Sequence, residues 1–133
     1  MDILITATAV AAAAVHVLIF YWESVAWTRP NVWRRFGVPD QETAEITRPL
    51  AYNQGFYNLF LAIGTLLGVI LYAVGLVGAG LAIGLFSVSS MVAAALALVS
   101  SGRGRVKSAL VQATFPLLTI VLVLITLATT VTV

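Results

Sequence analysis

The stretch RPLAYNQGFYNLFLAIGTLLGVILY (residues 48–72) decides how this chain folds. It has the length and apolar content of a membrane-spanning helix, yet Asn53, Gln54, Tyr57 and Asn58 crowd into its first turns. Hydrocarbon offers such side chains no hydrogen-bond partner, so the other helices must be arranged to answer them. Working outward, no Asp, Glu, Lys or Arg stands between Arg48 and Arg103. That interval is too long for one crossing and suits two, with GLVGAG (residues 75–80) as the reversal. Gly64 and Gly68, then Gly80 and Gly84, have the spacing that lets helix backbones approach closely.

Composition agrees. Of 133 residues, 61% are hydrophobic and 9% charged, against about 25% charged in an ordinary soluble domain. The mean hydropathy of +1.05 makes an integral membrane protein the expectation. The chain has no cysteine, which excludes disulfides, thiolate metal sites and cysteine nucleophiles. A net charge of +2 is too small and too localised for a nucleic-acid partner, and no cofactor is expected. The partner implied is the lipid bilayer.

Residues 3–22 carry no formal charge and are long enough to cross about 30 Å of hydrocarbon at about 1.5 Å per residue. The run opens Met1-Asp2 without a basic segment, so it reads as a first span rather than a signal peptide. Ala7, Ala11 and Ala14 give it a small-residue packing face, and Trp27 places an indole at the interface. Residues 28–45 form an interfacial loop broken by Pro30, Gly37 and Pro39. Arg29, Arg34 and Arg35 beside Trp33 and Phe36 read as a headgroup anchor, or as a basic site for an anionic ligand. Asp40 can cap a short helical turn carrying Glu42 and Glu45. Pro49 fits either an early helical position or a kink.

Helices are therefore expected over about 3–27, 46–73, 79–100 and 108–132, forming a single all-α integral membrane four-helix bundle. Arg29, Arg34, Arg35 and Arg48 lie in or beside the first loop, and Arg103, Arg105 and Lys107 in the third. The second loop and both ends carry no Lys or Arg. This alternation predicts a multi-pass protein of the plasma (inner) membrane with the first and third loops cytoplasmic and the N- and C-termini outside.

His16, Phe20, Glu23 and Trp27 are spaced so that they fall within roughly 60° of one another at about 100° per residue. On the second span Asn53 and Tyr57 form one row, and Gln54 and Asn58 the adjacent row. With Trp27, Arg48 and Lys107 as interface markers, Glu23 lies about 6 Å inside and Asn53 and Gln112 about 7–8 Å. Tyr57, Asn58 and His16 come about 13–17 Å in, with Ser89 and Ser90 at comparable depth. The expected ligand-binding set is Glu23, Asn53, Gln54, Tyr57, Asn58, Gln112, His16 and Trp27, in a polar cavity opening to the cytoplasm.

The amides also read as interhelical glue worth about 0.5–2 kcal/mol each, and His16 as a structural histidine bonded to a backbone carbonyl. Glu23 is harder to dismiss. A carboxylate at that depth needs polar contacts from Asn53, Gln54 and Tyr57, or must be a neutral acid with an exchangeable proton. Glu23 and His16 are the candidate catalytic groups. No metal site is expected, because the two are separated by about 10.5 Å along the helix axis. A positioned nucleophile and a phosphate-cradling loop are both lacking.

The strings HVLIFYWESVAW (16–27), TRPNVWRRFGVP (28–39) and TRPLAYNQGFYNLFLAIG (47–64) resemble the bacterial small membrane proteins of domain-of-unknown-function family 1304. That family's first helix carries an aromatic-rich stretch ending in Glu and Trp, and its second opens with NQG-x-YN. These fall here on Glu23, Trp27, Asn53, Gln54, Gly55, Tyr57 and Asn58. The fourth helix departs: QATFP (112–116) stands where a QG-x-P segment is usual, keeping Gln112 and losing the glycine. The resemblance implies a four-helix membrane protein and supplies no activity.

Three functions follow as expectations. One is binding or transport of a small polar or amphiphilic molecule or lipid, transport requiring a homodimer or larger homo-oligomer. Another is an intramembrane isomerase or hydrolase using Glu23 and His16 as acid and base. The third is an accessory subunit whose polar layer sets helix register.

Overall fold

The computed structural model describes residues 3–102 and 105–131. Arg103 and the expected helix end at 132 lie outside the described residues. Among the described residues the fold is all-α, with four helices long and apolar enough to cross a membrane. Helix α1 (Ile3–Phe20) runs on into a wide π-turn (Tyr21–Val25). A short α2 (Pro30–Trp33) and a 3-10 turn (Arg34–Phe36) follow, stopped by Gly37 at φ 74°. Then come α3 (Gln41–Ala73), α4 (Val77–Ser100) and α5 (Val106–Val131). Each long helix packs on its neighbours in the chain, and α5 closes the ring on α1. This is a multi-pass membrane bundle.

Packing, not hydrophobic transfer, holds such a bundle together, because lipid tails are as apolar as the side chains. Small residues do most of that work here. The buried positions of α3 are Ala44, Ala51, Gly55, Asn58, Ala62, Thr65 and Gly68, a seam recurring every three or four residues after Ala51. A Cβ on Gly68 would lie 2.6 Å from Gly84 Cα, and one on Gly80 only 2.5 Å from the Tyr72 nitrogen. Helices α3 and α4 thus meet backbone to backbone. Ala12, Val88 and Met91 fill the centre, with Leu61, Leu85 and Ile120 against them. The buried hydroxyls of Thr65, Ser87 and Thr119 donate to the carbonyl four residues back, so none is stranded.

The interfacial segment differs from the expected loop over 28–45. Asp40 caps α3 by accepting the Thr43 N–H at 2.7 Å, and that backbone bond holds its carboxyl below the usual carboxylate range. Helix α3 therefore begins at Gln41 and runs through Pro49 without a break, since one missing N–H does not outweigh a capped, well-packed start. Its 33 residues reach about 50 Å, well beyond the hydrocarbon thickness. Trp27 and Trp33 pack on Ala44 and Ala51 at this end, with Phe36 and Val38 beside them. Trp27 Nε1–H donates to the Ala44 carbonyl at 2.9 Å, and Trp33 Nε1–H to Gln41 Oε1 at 3.0 Å. Residues 26–38 are a folded strap across one end of the bundle.

Two smaller differences follow from glycine chemistry and helix caps. The reversal after α3 takes only residues 74–76, turning at Gly75 with φ 90°, while Gly78 and Gly80 lie inside α4. Helices α4 and α5 each start two residues earlier than expected, at Val77 and Val106.

Candidate functional site

Glu23 lies at the middle of the π-turn, where the Ala26 N–H reaches back five residues to the Tyr21 carbonyl at 2.9 Å. A π-turn widens the helix and re-aims the residues in it. Here it meets the seam of α3 at Gly55, where any Cβ would strike Ser24 Oγ and come within 3.1 Å of Glu23 Cβ. The glycine of NQGFYN is the gap that admits the π-turn. Ser24 Oγ–H then donates to the Tyr52 carbonyl at 2.9 Å, tying the two backbones together.

This contact sets the rotation of α3 and separates the polar rows. Asn58, on the seam, turns inward: its Nδ2 donates to Glu23 Oε2 at 2.8 Å and to the Gln54 carbonyl at 3.2 Å. The amide is thereby aimed, with Glu23 only 8% exposed. Among the described residues Glu23 Oε1 receives no donor, and it is not sealed from open space. Tyr57, 55% exposed, and Asn53 lie on the outer surface of α3 and line neither cavity described below. Among the described residues the expected hydrogen bonds from Asn53, Gln54 and Tyr57 to Glu23 are not made, although Gln54 lines the same cavities as Glu23. Asn53 stands midway between Ala51 and Gly55 and Tyr57 one residue before Asn58, so neither falls on the small-residue seam that faces α1.

Two adjoining cavities open at this end, about 550 and 650 Å³, sharing Glu23, Gln54, Arg35, Phe36, Leu98 and Ser108. The first reaches into the bundle between α1, α3, α4 and α5, and brings Asn58 and Gln112 to the same space as Glu23. Trp27 lines the second, under the strap. Volumes of this order suit small-molecule sites. Pro116 has no N–H for the Gln112 carbonyl, so α5 leaves a backbone acceptor without its helical partner beside the cavity's Gln112.

His16 is buried elsewhere. Its Nδ1–H donates to the Ala12 carbonyl at 2.9 Å, and it lines neither cavity. The single helical face expected to join it to Glu23 is interrupted, because the π-turn changes the phase between them. Ser89 and Ser90 also stay out of the cavities, and α4 instead presents Ala94, Ala97, Leu98 and Ser101. Among the described residues no cluster of three or more His, Cys, Asp or Glu is placed to hold a metal ion.

Some lining residues lie outside the expected ligand-binding set. Arg35 and Lys107 line the deeper cavity, and Arg34 and Arg105 the outer one. Arg35 Nε donates to the Asn31 carbonyl at 3.1 Å and its guanidinium lies 5.0 Å from the Trp22 ring centroid, which fixes it at the edge. The sequence marks Arg34 and Arg35 as a headgroup anchor or a basic site for an anionic ligand, whereas Arg105 and Lys107 enter that reading only through the topology of the third loop.

A family model described as "Protein of unknown function (DUF1304)" matches residues 10–124. No curated protein and no solved structure matches the chain.

Proposed function

The chain belongs to the DUF1304 family, and from that premise we propose that it binds a small polar or amphiphilic molecule in the cavity floored by Glu23 and Asn58. The observation that carries this is the Glu23–Asn58 pair at 2.8 Å, both members of which line a cavity of about 550 Å³. A polar pair serving only as glue would be closed over by its neighbours; this one faces space large enough for a ligand. Acid–base catalysis finds less support, since His16 is engaged with Ala12 and stands apart from Glu23.

The molecule is seated in the plasma (inner) membrane with the cavity toward the cytoplasm and both termini outside. Support comes from Arg35, Arg34, Arg105 and Lys107 gathering around the cavity end. The chain has no cysteine, so Ser101→Cys at that end supplies a unique thiol. A membrane-impermeant maleimide should label it in inside-out vesicles and not in intact cells. Labelling of intact cells would reverse the orientation.

Gently purified protein should retain a non-protein small molecule by native mass spectrometry. Ala97→Leu fills the cavity without touching a polar group and should lose it. A wild-type protein that carries nothing, or an Ala97→Leu protein that carries as much, overturns the binding reading.

A further inference from the structure

Among the described residues the two cavities together are lined by one acid, Glu23, and four bases: Arg35 in both, Lys107 in the deeper, Arg34 and Arg105 in the outer. A site of that balance favours an anion, with guanidinium groups suited to phosphate or carboxylate oxygens. Glu23 Oε1 lacks a donor among the described residues, so a donor on the same ligand finds an acceptor there. The wall opposite is of another kind. Ile19, Ala94, Ala97, Leu98 and Val111 give an apolar surface, and the two alanines leave the room for a hydrocarbon chain.

Resting on the cavity reading above, we infer that the ligand is a single-chain amphiphile whose anionic head, phosphate or carboxylate, also carries a hydroxyl or ammonium donor. The head lies between Arg35, Lys107 and Glu23, and the chain lies along α4 and α5. The deeper cavity, of about 550 Å³, has room for a head and one hydrocarbon chain. Arg35, held by Asn31 and Trp22, is already in place for the head and loses little freedom when it binds.

The test uses the full chain in neutral-detergent micelles, with oleoyl lysophosphatidate as the probe. Monooleoylglycerol keeps its chain and hydroxyls without the phosphate; glycerol 3-phosphate keeps the head without the chain. Affinities are read from thermal-midpoint shifts and native mass spectra. Lysophosphatidate is expected to bind about tenfold more tightly than monooleoylglycerol, with glycerol 3-phosphate weaker still. Arg35→Gln and Lys107→Gln should each weaken lysophosphatidate about tenfold and leave monooleoylglycerol unchanged, which also shows that the variants fold.

Equal binding of lysophosphatidate and monooleoylglycerol, or no binding of lysophosphatidate, overturns the anionic head and leaves the cavity reading standing. Glycerol 3-phosphate binding as tightly as lysophosphatidate overturns the amphiphile in favour of a soluble anion. Lysophosphatidate binding unchanged in Ala97→Leu puts the probe outside the cavity and overturns the inference together with the reading beneath it.

Discussion

Alanine at Gly68 or at Gly80 is expected to destabilise the bundle by about 2–3 kcal/mol, the upper range for overpacking a tight contact. Alanine at Gly84 should cost far less. The added methyl at Gly68 would lie 2.6 Å from Gly84 Cα and 2.9 Å from the Gly80 carbonyl, and neither backbone atom can swing aside. At Gly80 it would crowd the Tyr72 nitrogen at 2.5 Å and the Gly68 carbonyl at 2.7 Å. At Gly84 the nearest atom is Gly68 Cα at 3.7 Å, an ordinary contact. Unfolding in mixed micelles with rising dodecyl sulfate would rank the three. Equal losses at Gly68 and Gly84 would mean that α3 and α4 do not cross here.

The second large effect is a coupling. Asn58→Leu takes the donor from Glu23 Oε2 and leaves a buried carboxylate oxygen unanswered. It is expected to cost about 2 kcal/mol. Glu23→Met alone leaves the Asn58 amide nitrogen only its bond to the Gln54 carbonyl. Combining the two should recover much of the loss, giving an interaction of about 1–2 kcal/mol in a double-mutant cycle. Asn53→Leu and Tyr57→Phe, from the same motif, should change stability by less than about 0.5 kcal/mol, because both sites are exposed. Single losses that simply add would dissolve the Glu23–Asn58 pair as a unit.

These contrasts show where sequence reading succeeds and where it stops. Length and charge spacing were enough for four spans and for a common end holding Glu23, Asn58 and Gln112, because hydropathy and rise per residue act locally. Position along each helix was legible for the same reason. Rotation was not. Asn53 and Asn58 look alike in the string NQGFYN, and only the contact between Gly55 and Ser24 decides which of them turns inward. The face joining His16 to Glu23 assumed an unbroken α-helix, and a π-turn leaves no mark in hydropathy. The strap was hidden likewise: its hold on α3 runs through the Trp27 and Trp33 indole N–H groups, whose acceptors are set by tertiary packing.

The π-turn has a further consequence for how this chain can vary. Removing one residue between Phe20 and Ala26 would restore ordinary helical winding and abolish the wide turn that seats Glu23 and Ser24 against Gly55. The Ser24 bond to the Tyr52 carbonyl would go with it. Residues 21–25 are therefore a counted spacer, in which the number of residues matters as much as their identity. Insertions and deletions should find tolerance at Gly75, where the chain merely reverses, and none at this turn.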